Sequence, residues 1–369
     1  MQARIEKSEG DAAVFTLALP SRAEHVITAR NSDAGEMNRI LLREASARKA
    51  RTLTRFVFAG RSHYGAFRRM CPDAEGCVVW LQGDACRGGE VSCMQSFTVS
   101  GTAVSPVTRN GHLLGFVYED GDARWCRLAG VTPSDPHASR EEQTREVFGI
   151  LDDALQEHGF LFTDTVRTWF YLDRLLEWYK EFNTVRTAFF TEKGVFEKMV
   201  PASTGIGAGT PSGAALTCDL LAVQPKHGGV RIRSVPSPLQ CPAQEYRSSF
   251  SRAVEMEFPT HRSLIISGTA SIAPDGKTLH TGDHARQIAL TMEVVDALLR
   301  SRGMDWGDVS RGIAYFTDMA DRAIYAHYCG EHGIPPFPLA IAHADICRDD
   351  LLFEIEVDAV KLSVSPRPA

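Results

Sequence analysis

The 369-residue sequence is 44% hydrophobic and 23% charged, with a formal net charge of −6. That length can bury a large core, in the simplest case as two domains. The acidic balance offers no footing for nucleic acid or a membrane surface, and no apolar run nears the ~18 residues that span a bilayer. The nine cysteines include no C-x-x-C pair and suggest no disulfide frame, which argues against a structural zinc site. The opening MQARIEKSEGDAAVF carries early acids and lacks the apolar core of a signal peptide. A cytoplasmic protein is expected.

Residues 1–54 are mixed in character and Arg-rich near their end, and are expected to form a weakly structured extension or peripheral elements. From Arg55, RFVFAG and CVVWLQGD alternate with Gly/Asp turns, a strand signature. Cys71, Cys77, Cys86 and Cys93 crowd this region at irregular gaps, as buried or incidental thiols would.

Beyond Phe97 the chain repeats itself. Residues 143–172 align without gaps on residues 287–316, at a constant offset of 144. Seven residues recur: Gln143/Gln287, Asp152/Asp296, Leu155/Leu299, Gly159/Gly303, Asp164/Asp308, Arg167/Arg311 and Tyr171/Tyr315. Each copy opens with a helix carrying apolar residues at helical spacing. The first starts at Ser139 with Glu142 three residues on, a capping-box pattern, and the second near Asp283. Both end at a glycine, Gly159 or Gly303. A strand, a second helix and a closing strand follow, with strands before the first helix. The expected fold is α+β: two tandem copies, each a mixed sheet with two helices on one face. The boundaries predicted are 55–224 for the first domain with extra strands, a Pro/Gly-rich linker at 225–245, and 246–362 for the second domain.

The closing stretch of the second copy, His343 to Val360, holds the most chemistry. Glu354 and Glu356 interrupt an apolar strand and point to the same face. Acids near a strand end are commonly solvated or salt-bridged; a buried one must be paired, hydrogen-bonded or protonated. Cys347 and Arg348 lie just upstream. His343, Asp345 and Cys347 on alternate positions make only a sparse metal pattern.

The pieces FSRAVE, SGTAS, DHARQIALTMEVVDALL with Gly303, AYFTDM and FEIEVDAV resemble a complete YjgF/RidA-type (chorismate mutase-like) domain, with the first copy a divergent relative. The tandem, with RTWFYL (167–172), FNTVR (182–186), PASTGIG (201–207), SSFSRA (248–253) and DICRDDLLFEIE (345–356), is similar to the chorismatases. The arginine that imine deaminases of the single-domain type carry fifteen residues ahead of the glutamate is missing: Leu339 stands there, and the first copy has only Pro-Ala-Ser at 201–203.

The resemblance implies an enzyme that acts on chorismate without cofactor or metal, releasing pyruvate and a benzoate or a dihydroxycyclohexadiene carboxylate. Glu354 matches the family's general acid, and Cys347, seven residues ahead, matches the aromatising branch that makes 3-hydroxybenzoate, with or without 4-hydroxybenzoate. Glu356 is given a supporting or solvated role. The substrate's two carboxylates call for guanidiniums, and Arg167, Arg186, Arg252 and Arg348 are the candidates. Arg167 recurs as Arg311, which equally suits a structural role. Tyr171 and Tyr179 are candidates to bound the ring, and Ser203 and Thr204 to donate hydrogen bonds. Thr217 stands where the second copy has Glu354, so one catalytic centre is expected, in the cleft between the domains. A chorismate hydrolase and a non-catalytic small-molecule-binding protein are the alternatives. No nucleic-acid or membrane partner is expected; monomer and homotrimer both remain open.

Overall fold

The computed structural model describes residues 3–30, 33–60, 64–70, 76–81, 93–246 and 248–363. Cys71 and Cys86 lie outside them. Three six-stranded sheets hold the described strands. The first contains β1 (Arg4–Ser8), β2 (Ala12–Ala18), β3 (Ala23–Ala29), β4 (Arg51–Phe58), β5 (Cys77–Leu81) and β6 (Cys93–Ser100), with α1 (Ala34–Ala47) and α2 (Tyr64–Met70). The second contains β7 (Val104–Arg109), β8 (His112–Glu119), β9 (Ala123–Val131), β10 (Thr165–Leu172), β11 (Ala202–Gly207) and β12 (Leu216–Pro225), with α3 (Arg140–Glu157), α4 (Tyr179–Glu192) and the short α5 (Val195–Lys198). The third contains β13 (Arg231–Val235), β14 (Ala253–Glu257), β15 (His261–Ala270), β16 (Val309–Phe316), β17 (Leu339–His343) and β18 (Phe353–Leu362), with α6 (His284–Ser301) and α7 (Arg322–Glu331).

All three sheets run in one strand order: β1-β2-β3-β6-β4-β5, β7-β8-β9-β12-β10-β11 and β13-β14-β15-β18-β16-β17. In each, one pair is parallel, β4–β5, β10–β11 or β16–β17, and the rest are antiparallel. A parallel neighbour needs a crossover, and the chain between these strands supplies α2, α4 or α7.

The α+β class and the helix-backed mixed sheets expected for the two copies are present, and a third unit of the same topology precedes them. The segment taken as a loose extension, 1–54, holds β1 to β3, α1 and the start of β4. Its strands AAVFTLA and AEHVITA mix alanine with polar residues and lack the β-branched runs that mark strands in a sequence. The stretch read as a linker, 225–245, contains β13, an edge strand with both arginines outward, ended by Pro236. Two strands per copy had no sequence signal. One is an edge strand, β7 with its internal Pro106 or β13, and the other is the short, Ala- or Gly-rich β11 or β17.

The repeated residues have visible jobs. Ser139 and Glu142 close the capping box on α3, and Asp283 accepts from the Arg286 amide to cap α6. Gly159 and Gly303 adopt φ of 76° and 64°, the left-handed region that ends each helix. Gln143 accepts a hydrogen bond from the Ala215 amide (2.8 Å), and Gln287 from the Leu352 amide (2.9 Å). Each glutamine thus ties the first helix of its unit to the entry of the closing strand.

One apolar cluster draws on all three sheets, with Phe56, Trp169 and Ile313 among its members, while separate clusters lie beneath the helices of each unit. The edge strands link the units head to tail: β5 packs on β9, β11 on β15 and β17 on β6, so the ring closes. Among the described residues no helix is long and apolar enough to cross a membrane.

Candidate active site

A cavity of about 910 Å³ opens where the second unit meets the third. From the second unit come α4 and β11; from the third come the segment before β14, β15, Cys347–Arg348 and β18. Backbone amides hold the seam together. Ser251 N donates to Pro201 O (2.9 Å), Gly207 N to Asp345 O (2.8 Å), and Ser203 N to Ser267 Oγ (2.9 Å). The small residues of ASTGIG make this approach possible: a Cβ on Gly207 would meet Asp345 Cβ at 2.7 Å.

Glu354 stands on β18 between Ala270 of β15 and Tyr315 of β16, and its carboxyl faces the cavity. It is 5% exposed. Burial, reinforced by the charge of Glu356, pushes its pKa up to about 8, so the carboxyl holds its proton near neutrality. Gly268 on β15 leaves the space it occupies, since a methyl there would overlap the carboxylate. Gly268→Ala is therefore expected to displace this group and lower turnover by about 10²-fold, as small misplacements do. Parallel steady-state kinetics and near-UV circular dichroism check this; a normal rate would show that Glu354 tolerates the shift.

Glu356, two residues on, is fully buried and so not solvated. It accepts from Arg167 Nη2 (2.7 Å), Arg311 Nη2 (2.7 Å), Trp169 Nε1 (2.9 Å) and Thr204 Oγ1 (2.5 Å). Burial alone would raise its pKa, but the two guanidiniums and these donors hold it below the ordinary value. Arg311 also pairs with Asp358 and reaches Gln95 of the first unit, so the network spans the ring.

Seven of the ten expected site residues line the cavity: Glu354, Cys347, Tyr179, Arg186, Ser203, Arg252 and Arg348. Arg167, Tyr171 and Thr204 do not. Alternate residues of β10 turn Arg167, Trp169 and Tyr171 towards the shared core, where Arg167 pairs with Glu356 and Tyr171 packs against Phe56. Thr204 is taken up by Glu356, Arg167 and the Gly268 amide. Register also confirms the position of Thr217. Tyr171 faces Thr217 as Tyr315 faces Glu354, and Phe58 faces Cys93 in the first unit. One of three related positions carries an acid.

The guanidiniums come from three directions. Arg186, 1% exposed on α4, donates through Nη2 to Asn183 Oδ1 (2.5 Å) and lies near the Phe170 and Phe182 rings. Arg252 Nε donates to Cys241 O (3.0 Å), and Arg348 Nη1 to Gly276 O (2.8 Å). With Lys180 at the rim they set four cations against one protonated acid, a potential suited to a dianion. Tyr179 hydrogen-bonds Ser248 across the seam, and burial pushes its pKa up to about 12. The partly buried Cys347 thiol is also pushed to about 12, by burial and then by Glu354, so it stays a thiol. Asn183, Ser248, Gly205 and Gly268 were not singled out in the sequence, although they sit inside FNTVR, SSFSRA, PASTGIG and SGTAS. His343 turns Nε2 to Thr317 O (2.8 Å), and no group of three metal-ligating side chains occurs among the described residues.

The endoribonuclease L-PSP family model matches residues 243–361, which is the third unit without its edge strand β13. A chorismatase of Streptomyces hygroscopicus is 32% identical over 69% of this chain and 82% of its own length. The chain belongs to the chorismatase family. A chorismatase of Streptomyces rapamycinicus is 28% identical over 71% of this chain and 82% of its own. A 3-hydroxybenzoate synthase of S. hygroscopicus is 26% identical over 68% and 77%. The crystal structure of a chorismatase superposes with a TM-score of 0.65 at 18% identity, covering 93% of this chain and all of the other, so the whole ring is the architecture of this chorismatase fold.

Proposed function

We propose that this chain converts chorismate to 3-hydroxybenzoate and pyruvate, with Glu354 as general acid and Cys347 assisting aromatisation. The observation that carries the reading is a buried carboxyl, protonated near neutrality, facing a cavity ringed by Arg186, Arg252 and Arg348. Glu354 gives its proton to the enolpyruvyl CH₂, which creates an oxocarbenium ion. The ring C–O bond then breaks with its electron pair staying on the pyruvate oxygen. The neighbouring ring hydroxyl oxygen bonds to the vacated carbon, and its proton returns to Glu354. The epoxide-like intermediate opens, its oxygen takes a proton, and the ring loses a hydrogen to become aromatic. No water is consumed. Cys347, a thiol rather than a thiolate, relays the proton of that last step. The arginines hold the two carboxylates as forks.

Incubating the protein with chorismate and following pyruvate, with chromatography of the ring product, tests the reading. Hydroxybenzoate with equimolar pyruvate supports it, with the 3- and 4-isomers resolved on the column. Dihydroxycyclohexadiene carboxylate with pyruvate identifies a hydrolase instead, and no pyruvate a binding protein. Cys347→Ala is expected to keep releasing pyruvate while product shifts towards the dihydroxycyclohexadiene acid, because alanine cannot exchange a proton and leaves room for water. An unchanged product ratio would make Cys347 a packing residue.

A further inference from the structure

Glu354 rests on an irregularity in its own sheet. Ile266 of β15 faces Val357 of β18 and Thr269 faces Ile355, so Ser267 and Gly268 together stand against Glu356. Two residues against one is a β-bulge, which breaks the ladder locally and re-aims the side chains beside it. The second sheet has the same bulge, with Ala129 and Gly130 against Asp219, and there the Gly130 amide donates to Asp219 Oδ1 (2.7 Å). In the third sheet the equivalent acid, Glu356, is engaged by Arg167, Arg311, Trp169 and Thr204. The Gly268 amide donates instead to Thr204 Oγ1 (3.1 Å), on β11 of the second unit.

The Thr204 hydroxyl is used to capacity. It accepts from Gly268 N and from Arg167 Nη2 (2.5 Å), and it donates to Glu356 Oε2 (2.5 Å). Beside it, Ser203 N donates to Ser267 Oγ (2.9 Å), so consecutive residues of β11 grip both residues of the bulge. Glu354 lies directly over this floor: a Cβ on Gly268 would overlap Glu354 Oε1 and sit 3.2 Å from Thr204 Cγ2. We propose that Thr204 is a positioning residue for the acid: from the second unit it clamps the bulge of the third, and so fixes the place of the Glu354 carboxyl. Thr204 is not among the residues that line the cavity, so it acts through Glu354 rather than on substrate. The inference rests on the proposed role of Glu354 in the chorismate reading.

Thr204→Val keeps the shape and removes the hydroxyl, whereas Thr204→Ser keeps the hydroxyl and removes a methyl. The valine variant is expected to lose about ten- to a hundredfold in kcat, the scale of a small misplacement, with KM for chorismate near wild type. Serine should restore most of the rate. Without the hydroxyl the bulge is looser, the Glu354 carboxyl is better hydrated, and Glu356 holds its charge less firmly; all three ease the ionisation of Glu354. The fall of kcat/KM at high pH should therefore begin at lower pH than in wild type. A threonine that only braces the seam would alter the thermal midpoint and leave kcat and the pH profile in place. A valine variant with wild-type kcat and pH profile overturns the proposal, as does a folded serine variant as slow as valine. Should the valine variant fail to fold, Ser267→Ala, which releases the Ser203 amide, decides by the same two readings. Absence of pyruvate from the wild-type protein would overturn the chorismate reading instead. A carbon-13 NMR titration of the Glu354 carboxyl then reads the clamp without turnover: a lower midpoint in the valine variant supports it, and an unchanged one overturns it.

Discussion

Glu354→Gln is expected to slow pyruvate release by about 10²–10⁴-fold, the usual contribution of a positioned general acid. The amide is nearly isosteric and fits the space left by Gly268, so the fold should be intact, but it has no proton to give. Circular dichroism and the thermal midpoint would confirm folding, and the rate is read from pyruvate. A variant with near-normal turnover would remove Glu354 from the chemistry. The wild-type pH profile is a second view of the same group. Since the acid works protonated, kcat/KM should be level at lower pH and fall as pH rises through about 8. The linkage to stability has the matching sign. The folded state keeps a proton that the unfolded chain releases above about 4.5, so this group's contribution is full below that pH and is lost as pH rises through about 8.

Glu356→Ala should destabilise the fold by about 3–5 kcal/mol, because it strands buried guanidiniums rather than only removing a contact. Arg311 would retain Asp358, but Arg167 would lose its carboxylate altogether. Denaturant unfolding of the purified variant gives the number. A loss below about 1 kcal/mol, the range of surface pairs, would mean that the interior relaxes or admits water around Arg167. Gln95, Asp219 and Glu356 occupy the same register position, opposite Phe56, Trp169 and Ile313, so this buried polar layer recurs in all three sheets.

Local signals carried much of this structure. A capping box, two helix-ending glycines and a strand rich in Ile and Val put α3, α6 and β18 where they are, and the same strand disclosed Glu354. What escaped was non-local. Arg167 looks like a carboxylate ligand because a guanidinium on an apolar strand demands an anion; that the anion is Glu356, 189 residues away, follows from the packing of one sheet against another. The first unit was missed for a related reason. β2 and β3 mix alanine with polar residues and so lack a strand signature of their own, although β4 and β5 carried one; that they join in one sheet through β6 follows from pairing across the chain. Gly205 and Gly268 matter by the absence of a side chain, which only the neighbouring Tyr179 hydroxyl and Glu354 carboxyl make visible.

A ring assembled from three identical chains repeats every substitution at three seams at once, so a change that improves one cleft must be tolerated by the other two. Placing the three units on one chain lifts that restriction. Cys93, Thr217 and Glu354 stand at equivalent positions, yet each answers to its own surroundings: Cys93 donates to Ile341 O, and Glu354 faces the large cavity. With Glu354 as the proposed acid, the two positions that carry Cys93 and Thr217 need not serve that chemistry. The third can hold a buried, proton-bearing acid whose instability the rest of the ring absorbs. Lineages of this architecture should accumulate change unevenly around the ring, with the seam between the second and third units the slowest to vary.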